Sequence, residues 1–376
     1  MEITALDPCF FPAYYLQTIK NPKGKPMTTK ERIKAAINSE PVDRLPFWPK
    51  IGGAYAIKWK KTADELYEYI GSDPIAFTGP VYKESRAKTR HEVKTFGIET
   101  VTEYVTAHGT LRRVCRFDEA SQSEHPMEFP IKTRHDIEIM AEWFKDIKIE
   151  YDKSFRESCE AHYKSIGNAA FVAATVGSSA LMHFVEWLAG VEQAHYFLAD
   201  YPEETEALFA EMHRVTIEKT AVSAQYSPAD ALFFIEDTST AIISPGQYKR
   251  CNFDHLKRYG EISKSFCKPV ILHMCGHLKA LLPMLAELPV NAFEAFTSPT
   301  MGDTTLLDGR NACPDKCLIG GTNAAVWLGG ADEIFRHISN QLDKLPHRRG
   351  IFISSAGMMP PDCPPETVRV VKRRLD

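Results

Sequence analysis

His273, Met274, Cys275 and Gly276 close an apolar run that begins at Pro269, and their types and spacing are those of a metal-binding edge. Val270-Ile271-Leu272 reads as a short buried β-strand. Residues two apart on a strand point to the same face, so His273 and Cys275 reach one point from one edge. An imidazole and a thiolate converging there make half of a zinc-like ligand set. A satisfied histidine beside a buried, inert cysteine is the competing reading.

Glu294 supplies the next candidate, because a carboxylate inside the apolar run Asn291–Phe296 is costly unless paired, protonated or metal-bound. His273, Cys275 and Glu294 together would make a three-ligand site with one open position, the pattern of a catalytic zinc. A salt bridge from Glu294 to a lysine or arginine is the alternative. Glu236 and Asp237 follow the run Ala231–Ile235 and are candidates for general base or substrate anchor; a helix cap would explain them equally. Asn323 reads as a loop hydrogen-bonder, Trp48 as core, and Tyr82 as either core or a wall of the site. Cys313 and Cys317 form a lone C-x3-C, a weak signal read as incidental thiols.

Strand-length apolar runs recur at Leu45–Trp48, Ile75–Phe77, Ala170–Val176, Ala231–Ile235, Val270–Cys275, Asn291–Phe296, Cys317–Gly321 and Gly350–Ser355. Helical patterns separate most of them, among them Pro202–Ala224 and Pro245–Phe266, and Thr28 or Thr29 caps a helix running to Ile37. Eight strands alternating with helices predict an α/β fold, the (β/α)8 TIM barrel, whose active site lies at the C-terminal ends of its strands. Glu236, Asp237, His273, Cys275 and Asn323 sit at such ends, and Glu294 lies within the sixth strand. Residues 1–26 read as an N-terminal extension and 27–376 as the barrel. Val101, Glu103 and Val105, then His108-Gly109, then Leu111, Arg113 and Cys115 predict a β-hairpin inserted after the second strand. Ile51-Gly52-Gly53 lacks the spacing of a dinucleotide-binding loop.

The 376 residues carry 45 Lys and Arg against 49 Asp and Glu, a net charge of −4, which gives no reason to expect nucleic acid or anionic membrane as a partner. The aromatic-rich stretch Cys9–Leu16 has no basic segment before it and is too short to span a bilayer. Nine cysteines, an odd number, without a signal peptide suggest a reducing cytoplasm. Oligomeric state is left open, a homodimer included.

Four segments carry a family resemblance: Asp43-Arg44-Leu45-Pro46-Phe47-Trp48-Pro49; Gly190-Val191-Glu192 leading to Asp200-Tyr201-Pro202-Glu203; Ser244-Pro245-Gly246-Gln247-Tyr248; and Ser355-Ala356-Gly357-Met358-Met359-Pro360-Pro361 followed by Pro364-Pro365-Glu366. In order and spacing they resemble the uroporphyrinogen decarboxylase superfamily. True uroporphyrinogen decarboxylases carry an R-Q-A-G-R segment after the first strand; here Lys50-Ile51-Gly52-Gly53-Ala54-Tyr55 has no arginine to clamp a polyanion. The cobamide-dependent, methylcobamide:coenzyme M-like methyltransferase branch carries H-x-C on strand five, matched by His273 and Cys275.

That resemblance implies a zinc-dependent methyltransferase working with a corrinoid (cobalamin). No D-x-H-x-x-G segment of the cobalamin-binding kind is present, so a separate corrinoid protein is the expected carrier. Thiol-methylating members take a third ligand from a strand-eight cysteine; the matching position is Gly357, with Cys363 six residues on. Glu294, at a place resembling the glutamate ligand of cobalamin-independent methionine synthases, is the expected replacement. A carboxylate in place of a thiolate would favour substrates presenting oxygen or nitrogen. A decarboxylase-like lyase acting on a smaller carboxylate is the runner-up, and a binding protein that kept only the barrel is the third reading.

Overall fold

A computed structural model describes residues 26–376; the expected extension lies outside the described residues except for Pro26. Eight parallel strands form one sheet: β1 (Phe47–Lys50), β2 (Ile75–Thr78), β3 (Phe171–Gly177), β4 (Ala231–Ile235), β5 (Val270–His273), β6 (Ala292–Phe296), β7 (Cys317–Gly320) and β8 (Ile351–Met358). Their spatial order is β1-β8-β7-β6-β5-β4-β3-β2, the (β/α)8 barrel that the apolar runs predict. The runs are continuous because a barrel strand is buried on both faces. Ala231 and Phe233 of β4 face the interior with Ile271, Ala292, Ile319 and Phe352. Leu232 and Phe234 face the helices.

Thr28 and Glu31 close a capping box on the helix Thr29–Ile37, each satisfying an amide that the first turn leaves free. The helical pattern Pro245–Phe266 is two helices, Pro245–Cys251 and Phe253–Ser265, broken at Asn252. The break turns the Asn252 amide toward the barrel. Among the described residues no helix is long and apolar enough to cross a membrane.

The ladder of strands has two ends, β1 and β2, and Asp73 fastens them. Its N–H donates to the Phe47 carbonyl at 2.7 Å, and its carboxylate accepts from the Phe47 N–H at 3.1 Å. Arg32 at 2.5 Å and Arg44 at 2.6 Å balance the charge of this fully buried group.

Between β2 and β3 the chain leaves the barrel. Tyr82–Ser85 pairs with Lys148–Tyr151, and Arg90–Phe96, Glu99–Val105, Thr110–Asp118 and Ser123–Glu128 form a four-stranded antiparallel sheet. The expected hairpin is therefore only the central pair of a larger insert. Its outer strands are polar edges, Arg90-His91-Glu92-Val93-Lys94 and Ser123-Glu124-His125-Pro126, with little apolar alternation to reveal them. The sheet packs on the helix Arg134–Lys145 through Tyr104 and Trp143, whose rings lie 5.0 Å apart.

The insert meets the barrel mouth twice. Gln122 lies so close to Gly53, just after β1, that a Cβ there would stand 3.2 Å from the Gln122 Cβ. Arg113 stands 5.7 Å from the ring of Trp187, which follows β3. The inserted sheet thus roofs the β1–β3 side of the mouth.

Candidate metal centre

The strand ends converge as barrel geometry demands. His273 on β5 is register partner of Glu294 on β6, and each lies two residues beyond an interior side chain, Ile271 and Ala292. Both therefore point inward, as does Lys50, two residues beyond Trp48 on β1. On β4 the same alternation sends Ile235 inward and Glu236 out toward the helices. Asp237 then takes a left-handed backbone, φ 40°, which an aspartate tolerates better than most residues. That turn brings its carboxylate back over the mouth.

Asp237 Oδ1 lies 2.9 Å from His273 Nε2 and accepts from Cys275 Sγ at 3.2 Å. One donor atom from each of Asp237, His273 and Cys275 falls within 4.8 Å of the others, which among the described residues is the one such group of three. Glu294 stands on the other side of the imidazole. It bonds Nδ1 of His273, and Lys50 Nζ sits 2.9 Å from its Oε1. The sequence-derived trio thus separates: His273 and Cys275 converge with Asp237, while Glu294 orients the histidine and is neutralised by Lys50.

The charges agree with that arrangement. Burial alone would raise Glu294, but Lys50 and His273 hold it below the ordinary carboxylate range. Burial likewise disfavours the Asp237 anion, and the His273 contact overcomes it. Burial would strip the proton from His273, yet Glu294 and Asp237 hold its pKa well above the usual value. Nitrogen, sulfur and oxygen donors around one point suit a zinc-class ion. A carboxylate on the second imidazole nitrogen is the usual support of a metal-binding histidine. The residues present fit the metal.

Glu236 is fully buried and outside that group. It accepts from Ser179 N at 2.5 Å and Asn252 Nδ2 at 3.2 Å, and burial pushes its pKa up to about 7. Cys363 is buried, its thiol pushed up to about 12 by that burial, and it does not join the cluster. Cys317 lines the barrel interior and Cys313 the outer shell; both are free and buried. Asn323 bonds Ser298 and Pro299, Trp48 is core, and Tyr82 is buried in the small strand pair.

Two residues escaped the sequence reading. Lys50 carried a signal in its parity with Trp48. Glu186 lies in the single π-turn Phe184–Leu188, a feature often found at functional sites. Burial, then the charges of Asp237 and Glu236, push its pKa up to about 8. Its signal was a carboxylate in an apolar run, the same that singled out Glu294.

A (β/α)8 barrel with a group of residues at its C-terminal mouth that could hold a metal ion defines the class. The chain belongs to the uroporphyrinogen decarboxylase family, whose model matches residues 128–374. In fold it is similar to a methyltransferase from Methanosarcina mazei, with TM-score 0.57 and 14% identity over 93% of this chain and 98% of that one. A protein described as a vitamin-B12-independent methionine synthase from Listeria monocytogenes aligns over 61% of this chain and 70% of its own, at 14% identity and TM-score 0.38. No curated protein matches the chain by sequence.

Proposed function

We propose that this protein is a zinc-dependent methyltransferase that moves a methyl group between a small substrate and a corrinoid held on a separate protein. The observation that carries the reading is the convergence of Asp237, His273 and Cys275 at the mouth. The family and the fold shared with a methyltransferase support it. Asp237, His273 and Cys275 would hold the metal. Bound there, zinc would act as a Lewis acid on the substrate heteroatom that gains or loses the methyl group.

The protein's own groups then have distinct tasks. Glu294 fixes the His273 ring by its Nδ1 bond, so that Nε2 faces the cluster. Lys50 keeps Glu294 anionic. His273 would give up its Nε2 proton to bind a metal, so affinity should rise with pH. Glu186, raised by burial and by the charges of Asp237 and Glu236, is the candidate proton donor to a leaving oxygen or nitrogen. Glu236 acts at one remove, holding Ser179 and Asn252. With one carboxylate and one thiolate offered as ligands, a metal held here would favour oxygen- and nitrogen-bound methyl groups more than in a two-thiolate site.

The test is metal content beside methyl transfer to cob(I)alamin from methyl ethers, methylamines and methyl thioethers. About one zinc per chain is expected in the wild type, lost in Asp237→Ala, His273→Ala and Cys275→Ala. Transfer should be fastest from an ether or amine. A wild type that takes up no zinc when it is offered would overturn the reading. Metal-free turnover of a carboxylated substrate would replace it with a decarboxylase.

A further inference from the structure

Arg113 lies on the face of the inserted sheet that turns toward the barrel. It is register partner of Thr102, which is partner in turn of Val93. Thr102 is buried and Val93 is 55% exposed, so this row leads from the packed interior of the insert to its open rim. Arg113 lies across Thr102 from that rim, half-buried above the indole of Trp187. Trp187 follows Glu186, whose carboxyl lies in the field of Asp237 and His273. Arg113 therefore stands over the turn that follows β3, at the C-terminal end of the barrel.

What distinguishes Arg113 is the absence of a counter-charge. Its Nε is buried without a hydrogen-bond partner, and among the described residues it makes no ion pair. The nearby carboxylate is already shared: Glu84 binds Lys219 at 2.6 Å and Arg86 at 3.0 Å. Arg86 is itself pressed on the Trp143 ring at 4.1 Å, with its own Nε unpartnered. Two cations thus share the Glu84 carboxylate, and Arg113 is not among its partners. The excess is felt by His183, which burial and then Lys219 and Arg113 push down to about 4. A guanidinium with a buried, unpartnered N–H normally finds an acceptor, since leaving a buried donor unpaired is costly. Its planar fork binds two oxygens of one oxyanion at once.

We propose that Arg113 is a binding residue for an oxyanion, a carboxylate or phosphate group on the substrate that enters beneath the inserted sheet. This rests on reading the mouth as the substrate site, and not on methyl transfer or on zinc. The substrate class is a small anionic molecule whose charged end sits under the insert while its reacting end reaches the metal centre.

Titration calorimetry of the metal-free protein with acetate and with inorganic phosphate tests this on wild type, Arg113→Gln and Arg113→Lys. One of the anions should bind, about tenfold or more weaker in Arg113→Gln, with partial affinity kept in Arg113→Lys. Tighter acetate identifies a carboxylate; tighter phosphate identifies a phosphate ester. Thermal melting of both variants checks that they fold, and Arg113→Lys keeps the test valid if Arg113→Gln does not. Equal binding by wild type and Arg113→Gln, or no binding of either anion by the wild type, would overturn the assignment. Zinc content measured on the same samples separates the two proposals. A wild type without zinc that still binds anions through Arg113 would sink the metal mechanism and leave this one standing.

Discussion

Glu236 and Glu294 sit on neighbouring parts of one barrel mouth, both without exposed surface, and they ionise in opposite senses. Glu294 faces inward between the Lys50 ammonium and the His273 imidazole. Glu236 faces outward, where it meets a backbone N–H and a neutral amide. The first is held anionic; the second is pushed up to about 7. Desolvation is common to both, so the charge of the partner decides the outcome. One carboxylate joins Lys50 to His273 in an ionic chain that ends at Asp237, the other is a pin between the barrel and its helical shell.

The largest effect should come from removing the inward charge. Glu294→Gln leaves Lys50 without an anion, and about 3–5 kcal/mol of stability should be lost in denaturant unfolding. Zinc affinity, measured by chelator competition, should fall about 10–100-fold. The double variant Lys50→Met with Glu294→Met should recover much of the stability and none of the zinc affinity. Recovery of both would show that Glu294 is indifferent to the metal.

Glu236→Gln sharpens the other half. The Glu236 carboxyl titrates at about 7 in the folded chain and near 4.3 when unfolded. Between those values the native state binds more protons, so its contribution to stability falls as pH rises and levels off above 7. The slope is up to about 1.4 kcal/mol per pH unit. Glutamine cannot titrate, so the variant should gain on the wild type from pH 5 to 7 in urea midpoints and stay parallel above. Parallel curves throughout would mean that Glu236 carries its charge at every pH tested. The smallest change is Asn252→Ala, which removes one donor to Glu236. It should cost about 1 kcal/mol and leave zinc content untouched.

The barrel was legible because burial on both faces writes each parallel strand as a continuous apolar run, and eight such runs leave few architectures. His273 and Cys275 were legible by the two-residue period of a strand. Asp237 was visible only as a candidate, because its left-handed turn reverses the direction that alternation assigns to it. Glu294 was singled out by the cost of burying it, but that cost cannot say whether a metal or a lysine meets it. Lys50 lies more than two hundred residues away in sequence, and only closure of the barrel brings it near. The insert was read as a hairpin because its polar edge strands carry no buried face.

The strand ladder has seven hydrogen-bonded joints and an eighth fastened by Asp73, which makes this barrel a strap with a buckle. Opening a laddered joint means breaking several backbone bonds in step. Opening the buckle means breaking one backbone bond, Asp73 N–H to the Phe47 carbonyl, and releasing one carboxylate from Phe47 and two arginines. The softest line in the cylinder therefore runs along β1 and under the inserted roof. Lys50 ends that same strand, so the closure that Asp73 makes at one end of β1 is also what seats the ammonium against Glu294 at the other.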